Sequence, residues 1–153
     1  LIISCGIYSF TGASIPIDAK SFSVNYFTTK ATNSPSSLKQ VITEELKDLL
    51  LSQTNLYLSQ KEADLIFNGE ITKYQVTPIA LQANESVAKN RLTIAIKVKY
   101  ENRFNDQQNF ESTFSHYRDF NSSQNLAEVE NILIEEITKD LIEDVFNKAF
   151  VNW

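Results

Sequence analysis

The sequence predicts an α+β fold, a two-layer sandwich in which two helices cover one face of a mostly antiparallel or mixed sheet of about four strands. Three observations support this prediction. Residues 91–104 alternate between apolar and polar side chains, which is typical of a strand with one buried face and one wet face. Residues 35–53 and 126–149 carry apolar side chains at helical spacing. The order of strand, helix, several strands and final helix favours two helices packed on one side of a sheet.

The first half of the chain contains the predicted first helix and the strands around it. Residues 21–27 alternate and form the first strand. The Ser-Pro pair at 34–35 predicts a helix start, with Ser as N-cap and Pro in the first helical position. A short strand is expected at 56–58, followed by a long strand at 64–76. The parity of the apolar residues changes within this strand, which indicates a β-bulge or a twist near Gly69.

The second half contains a predicted strand pair and the final helix. A loop at 78–90 precedes the strand at 91–104, and a partner strand returns at 110–120. Three aromatic residues share the inward face of that partner strand, namely Phe110, Phe114 and Phe120. Asn125, with Glu128 three residues later, resembles a capping box at the start of the final helix. This helix carries a strong apolar stripe, formed by Leu133, Ile137, Leu141 and Val145.

Composition and charge indicate one globular domain. The chain has 153 residues, of which 42% are hydrophobic and 22% are charged. We divide it into the end of a signal peptide at 1–5, a linker at 6–20 and a single α+β domain at 21–153. The net charge of −5 is carried by residues 126–153 and argues against nonspecific binding of nucleic acid. No apolar run reaches the roughly 18 residues that a membrane-spanning helix needs.

Cys5 is the only cysteine, and its context predicts a lipid-attachment site. The first six residues read Leu-Ile-Ile-Ser-Cys-Gly, which is apolar and then small, as at the cleavage site of a signal peptide. In a bacterial lipobox such a cysteine is acylated, and a thiolate is a strong nucleophile toward a lipid donor. The alternative is an ordinary cysteine that packs as a small hydrophobic residue.

The sequence lacks the motifs of an enzyme or of a metal site. It contains no nucleophile elbow, no glycine-rich phosphate loop and no cluster of His and Cys residues suited to zinc. His116 is the only histidine, and we interpret it as structural. The acidic residues of the final helix are interpreted as a solvated face, formed by Glu135, Glu136, Asp140, Glu143 and Asp144. We therefore predict no enzymatic activity, no cofactor and no metal.

The basic residues around the alternating strand are the best candidates for a binding site. All five have odd numbers, so a regular strand projects them from one face: Lys89, Arg91, Lys97, Lys99 and Arg103. Residues two apart lie about 7 Å from each other, so Lys97 and Lys99 could hold two anionic oxygens together. A tyrosine beside them could shield the acyl part of a lipid, and the candidates are Tyr57, Tyr74 and Tyr117. The alternative is a solvated outer face whose charges keep the sheet soluble.

Four segments carry a resemblance to a known family. They are SCGIYSFTGA at 4–13, ADLIFNGEI at 63–71, NRLTI at 90–94 and FNKAFVNW at 146–153. In these segments the chain resembles the LptE family of lipopolysaccharide-assembly lipoproteins, in the form found in Bacteroidetes. The resemblance implies an outer-membrane lipoprotein on the periplasmic side, acylated at Cys5. It also implies a partner, the β-barrel translocon subunit LptD, whose lumen it plugs, and contact with lipopolysaccharide (LPS).

Two other functions stay open at this point. One is a periplasmic or surface lipoprotein that binds glycans or acts as a pilotin for another envelope machine. The other is a hydrolase with His116 in a pocket, which would require acidic residues close to the imidazole ring.

Overall fold

The fold is a mixed β-sheet with two helices on one of its faces. The structure is a computed structural model, and it describes residues 14–151. The elements in chain order are β1 (Ser21–Val24), β2 (Thr28–Thr29), α1 (Leu38–Gln53), β3 (Tyr57–Leu58), β4 (Leu65–Ile79), β5 (Lys89–Asn102), β6 (Phe110–Asn121) and α2 (Leu126–Phe150). A short 3₁₀ helix (Asp106–Gln108) links β5 to β6. The predicted two-layer α+β fold is confirmed.

The strand order is β3-β1-β4-β5-β6, and β2 pairs with β4 farther along that strand than β1 does. β1 runs parallel to β3 and β4, and β2 also runs parallel to β4, whereas β4, β5 and β6 form an antiparallel meander. Within residues 14–151 the sheet has six strands, where about four were expected. β3 is the short strand expected at 56–58, whereas β2 was not expected, because two residues are too few to show a period of two.

The predicted first strand at 21–27 is interrupted after Val24. The chain turns there, and the side chain of Phe27 becomes fully buried between the sheet and α1. The Phe27 N–H donates a hydrogen bond to the hydroxyl oxygen of Thr43 on α1 at 3.1 Å. The link between β1 and β2 is therefore fixed to the helix layer.

β5 supplies the centre of the core, because every second side chain points toward the helices. Its fully buried side chains are Leu92, Ile94, Ile96, Val98 and Tyr100. They belong to one apolar core with the stripe of α2, which consists of Leu133, Ile137, Leu141 and Val145. The α1 stripe adds Leu38, Ile42, Leu46 and Leu50. The predicted alternation of β5 and the predicted helix stripes are confirmed.

Both helices begin differently from the predicted pattern. α1 begins at Leu38 and not at Pro35, because the preceding residues form a turn in which the Leu38 N–H donates to the Pro35 carbonyl. Ser37 is the N-cap residue and makes no side-chain capping bond. Asn125 is the N-cap residue of α2, as predicted. Its backbone carbonyl, not its side chain, accepts from the Glu128 N–H at 3.0 Å, so the predicted capping box is wrong.

The bulge in β4 lies at Thr72 and not near Gly69. The register of β4 against β5 shifts between Ile71 and Lys73. Gly69 has a different role, since its missing side chain makes room for Phe27. A Cβ atom on Gly69 would lie 2.1 Å from Cε1 and Cζ of the Phe27 ring, and that ring is fully buried.

Asp64 fixes the segment at 14–20 against the start of the sheet. Its Oδ2 atom accepts hydrogen bonds from the backbone N–H groups of Lys20 and Ser21 at 2.9 and 3.0 Å. The Ser21 hydroxyl oxygen accepts in turn from the Asp64 N–H at 3.0 Å. The hydrogen bond from Lys20, followed by those from Ser21, holds the pKa of Asp64 below its usual value. The chain therefore enters the domain at a defined place, beside the start of β4.

We expect Gly69→Ala to lower the free energy of unfolding by about 2 kcal/mol, because a new methyl group at this site overpacks a buried ring. Urea denaturation followed by circular dichroism measures this loss. The double variant Gly69→Ala/Phe27→Leu removes the ring, so it should be less destabilised than the sum of the two single variants. A Gly69→Ala protein as stable as the parent would contradict the close packing described here.

Candidate functional site on the open face of the sheet

The face of the sheet opposite the helices is polar, and we call it the open face. Its central row consists of the outward residues of β5, namely Arg91, Thr93, Ala95, Lys97 and Lys99. The neighbouring rows come from β4 and β6, so Lys97 lies between Glu70 and Thr113. The predicted division of β5 into a buried face and a wet face is confirmed.

Arg91 is held in place from two sides. Its Nε and Nη2 atoms donate to the two carboxylate oxygens of Asp119, its cross-strand partner on β6, at 2.7 and 3.0 Å. The guanidinium carbon also lies 3.7 Å from the centroid of the Tyr117 ring. The hydrogen bonds with Asp119 raise the pKa of Arg91, and they lower the pKa of Asp119. The forked pair and the stacked ring make Arg91 a fixed part of the face rather than a mobile cation.

Lys97 and Lys99 have acidic neighbours as well, but each contact is a single one on an exposed side chain. The Nζ atom of Lys97 lies 4.0 Å from Glu70, and that of Lys99 lies 2.7 Å from Glu101. The hydrogen bond to Glu101 raises the pKa of Lys99. Exposed ion pairs of this kind contribute little to stability, so these two ammonium groups can exchange partners easily.

A groove of about 310 Å³ lies beside these two lysines. Four segments line it, and they contribute Asn25, Tyr26 and Thr28, then Asn68, Gly69 and Glu70, then Lys97 and Lys99, and finally Glu111. The Asn25 side chain donates to Oδ1 of Asn68 at 2.6 Å. Because two carboxylates offset the two ammonium groups, the groove is close to neutral and rich in hydrogen-bonding groups.

The other predicted basic residues lie away from the groove. Lys89 is the first residue of β5, whereas Arg103 lies beyond its last residue, in the turn before β6. The Arg103 guanidinium donates to the carbonyl of Glu62 at 3.3 Å. The structure brings Lys97 and Lys99 together, and it places the other three predicted cations at separate points along or beyond the strand.

The tyrosine beside the two lysines is Tyr26, which was not among the predicted candidates. Tyr117 stacks on Arg91 instead, and Tyr57 lies on the edge strand β3. Tyr74 follows the bulge on the helix side of β4, where its hydroxyl donates to Glu130 of α2. Tyr26 comes from the β1–β2 link, so only the pairing of distant strands brings it to the groove.

On the helix side of β6, two basic side chains pair with acids of α2. The Nε2 atom of His116 lies 2.6 Å from Asp144, and Arg118 donates to Glu136 and Asp140 at 3.1 and 2.5 Å. These bonds, first that with Asp140, raise the pKa of Arg118. Glu136 and Asp144 are still about half exposed, as expected of a solvated face, and Asp140 is half-buried; the interpretation missed only that these acids pair with β6. Glu136, Asp140 and Asp144 are four residues apart, so they lie on one face of α2. This spacing could have indicated from the sequence a charged stripe that faces a strand.

The chemistry of the open face suits reversible contacts with polar or charged groups. Across residues 14–151 there is no group of three or more acidic, His or Cys side chains that could hold a metal ion. Neither helix in that range is long and apolar enough to cross a membrane.

The fold and the open face define a two-layer α+β domain that presents one polar sheet face, and several solved bacterial proteins are similar in fold. A minor lipoprotein from Acinetobacter baumannii has a TM-score of 0.53 and 15% identity, over 85% of this chain and 91% of its own. A hypothetical protein from Chlamydia trachomatis has a TM-score of 0.53 and 12% identity, over 88% and 100%. Lipoprotein B from Nitrosomonas europaea has a TM-score of 0.51 and 14% identity, over 87% and 82%.

The family follows from the sequence. The model of the LptE family, described as lipopolysaccharide-assembly, matches residues 19–149, so this chain belongs to that family. The predicted family and the prediction of no enzymatic activity are thereby confirmed, because LptE proteins are non-enzymatic LPS-assembly lipoproteins of the cell envelope. No curated protein sequence matches the chain. Cys5 precedes the matched range and lies outside the described residues, so its acylation stays a prediction, as does the Bacteroidetes form.

Proposed function

We propose that this protein is an outer-membrane component of the LPS translocon, held on the periplasmic side by an acylated Cys5. In this role it plugs the β-barrel subunit LptD, helps it to assemble and contacts LPS. The observation that carries the proposal is the family match over residues 19–149. Two surfaces of the structure support it, one suited to a protein wall and one to a phosphorylated glycolipid.

The surface suited to a protein wall is the hairpin tip, which we define as residues 80–88 between β4 and β5. Leu81 is 55% exposed and Val87 is 46% exposed. The parallel strands β1 and β2 pair with β4 before the bulge at Thr72. After the bulge, β5 is the neighbour of β4 within the described sheet, so the β4–β5 hairpin extends beyond the parallel strands. Exposed apolar side chains at the end of such a projection suit contact with the inner wall of a barrel.

The surface suited to LPS is the groove beside Lys97 and Lys99. Their exposed ion pairs are readily replaced, so two phosphate oxygens can take the place of the carboxylates. Glu70 and Glu111 reduce the attraction for a single small anion. A ligand with several phosphates and many hydroxyl groups is favoured instead, since it also bonds the asparagine side chains of the groove.

We expect Lys97→Glu/Lys99→Glu to weaken LPS binding about tenfold, with a larger loss at low salt, because the variant reverses two charges at the groove. Titration with fluorescently labelled LPS at two salt concentrations measures this effect. The control Lys47→Glu/Lys139→Glu makes the same change of charge on the helices, on the other side of the sandwich. Identical binding curves for both variants and the parent would leave the open face as a merely solvated surface.

We expect Leu81→Asp/Val87→Asp to reduce the amount of LptD that co-purifies with the protein about fivefold, because charged side chains oppose burial at an apolar contact. The measurement is the ratio of the two proteins in an affinity eluate from solubilised membranes. Leu51→Asp/Ile132→Asp is the matched control, since both side chains are exposed on helices. An unchanged ratio in the hairpin variant would remove the tip from the proposed interface.

We expect Cys5→Ser to move most of the protein from the membrane fraction to the soluble fraction in cells that lack LptD, because the acyl anchor is lost. Fractionation and immunoblotting measure the distribution. Recovery of the variant in the membrane fraction without LptD would speak against the anchor.

Co-purification of a different envelope machine, in place of LptD, would favour the pilotin alternative.

A further inference from the structure

An apolar surface lies where the chain enters the domain, and we call the side chains of Pro16, Ile17 and Tyr57 the entry patch. Ile17 is 97% exposed and Tyr57 is 60% exposed. With Ile15 and Leu56, these side chains line a groove of about 470 Å³. Single exposed apolar side chains are common on protein surfaces, but two of them beside one groove form a contact surface.

The turn that carries Ile17 is braced by the domain. The Ala19 N–H donates to the Pro16 carbonyl at 3.0 Å, and the Ala19 side chain is buried. Asp64 binds the next two backbone N–H groups, and the proline ring restricts the backbone before the turn. Ile17 therefore projects from an ordered segment, so little conformational entropy is lost when it makes a contact.

The entry patch lies close to the proposed anchor along the chain. Ile17 follows Cys5 by 12 residues, and an extended chain spans at most about 3.5 Å per residue. The patch thus stays within about 40 Å of an acylated Cys5. A tether of this length keeps it at a high effective concentration at the bilayer surface, so a contact of low affinity is still occupied.

The chemistry of the patch fits the boundary between lipid and water. A tyrosine prefers that boundary, because its ring is apolar and its hydroxyl is polar. Lys20, on the rim of the groove, can extend its ammonium group toward a headgroup phosphate, and the neighbouring Asp18 offsets its charge. The contact therefore depends on apolar insertion and not on anionic lipid. Three side chains also cover far less than the roughly 800 Å² that a stable protein interface takes from each partner.

We infer that the entry patch is a second membrane contact, in which Ile17 and Tyr57 enter the interface of a phospholipid bilayer beside the anchor. The inference rests on the proposed acylation of Cys5. β4 starts next to the entry segment and has 15 residues, so the entry patch and the hairpin tip lie near opposite ends of that strand, about 45 Å apart.

The test uses the full chain with Cys5→Ser, so that no acyl chain contributes, and neutral phosphatidylcholine vesicles. Co-sedimentation at rising lipid concentration should show weak binding that is insensitive to salt. Adding Ile17→Ser/Tyr57→Ser should weaken this binding about tenfold, since those two side chains supply most of the exposed apolar surface of the entry patch. The control Leu51→Ser/Ile132→Ser removes two exposed apolar side chains from the helices and should bind as the parent does. Circular dichroism confirms that each variant is folded.

Equal binding by the parent and the patch variant would overturn the inference, and so would no vesicle binding by the parent. Binding that requires anionic lipid and disappears at high salt would overturn it too, since that behaviour belongs to the lysines of the open face. If sedimentation velocity shows that the parent is a dimer and the patch variant is a monomer, the entry patch is an interface with a second copy of the chain, and the inference is overturned. None of these results touches the proposed function, because LptD co-purification and LPS binding are measured separately.

Discussion

The alternation of β5 is the constraint on which the rest of the structure depends. β5 is paired along both edges, and its five inward apolar side chains are fully buried. Burial of one such side chain stabilises a fold by about 1.5–3 kcal/mol relative to exposure. A shift of register by one residue would expose all five side chains to water and would move Lys97 and Lys99 into the core. The packing of the helices therefore also determines which side chains the open face presents.

The long elements could be predicted from the sequence, because a pattern that repeats many times outweighs local exceptions. β5 and α2 are the clearest cases, with 14 and 25 residues. The short strand β2 could not be predicted in this way, since Thr28–Thr29 is a strand only because β4 offers a partner. The bulge was expected near Gly69 and lies three residues farther along, where the parity of the apolar residues changes between Ile71 and Tyr74. Gly69 is needed for the Phe27 ring and not for an irregular backbone.

The candidate site could be predicted only in part. The odd numbers of Lys97 and Lys99 place them on one face, but their surroundings come from other strands. Asp119 and Glu70 limit the basic character of the face, and their contacts depend on a register that the sequence does not state. Tyr26 and Lys97 lie 71 residues apart in the sequence, so the position of Tyr26 beside Lys97 depends on the parallel pairing of β1 with β4.

The pairs between β6 and α2 have a consequence for how copies of this protein behave when crowded. β6 forms one edge of the described sheet over 12 residues, and a long edge strand is a template for aggregation. His116 and Arg118 point inward along that edge and are bonded to acids of α2. A strand from another molecule would have to cover the Arg118 guanidinium and its acidic partners as it docked, which opposes the growth of an intermolecular ladder. These polar pairs thus protect the protein against self-association along the longest unpaired edge of the described sheet.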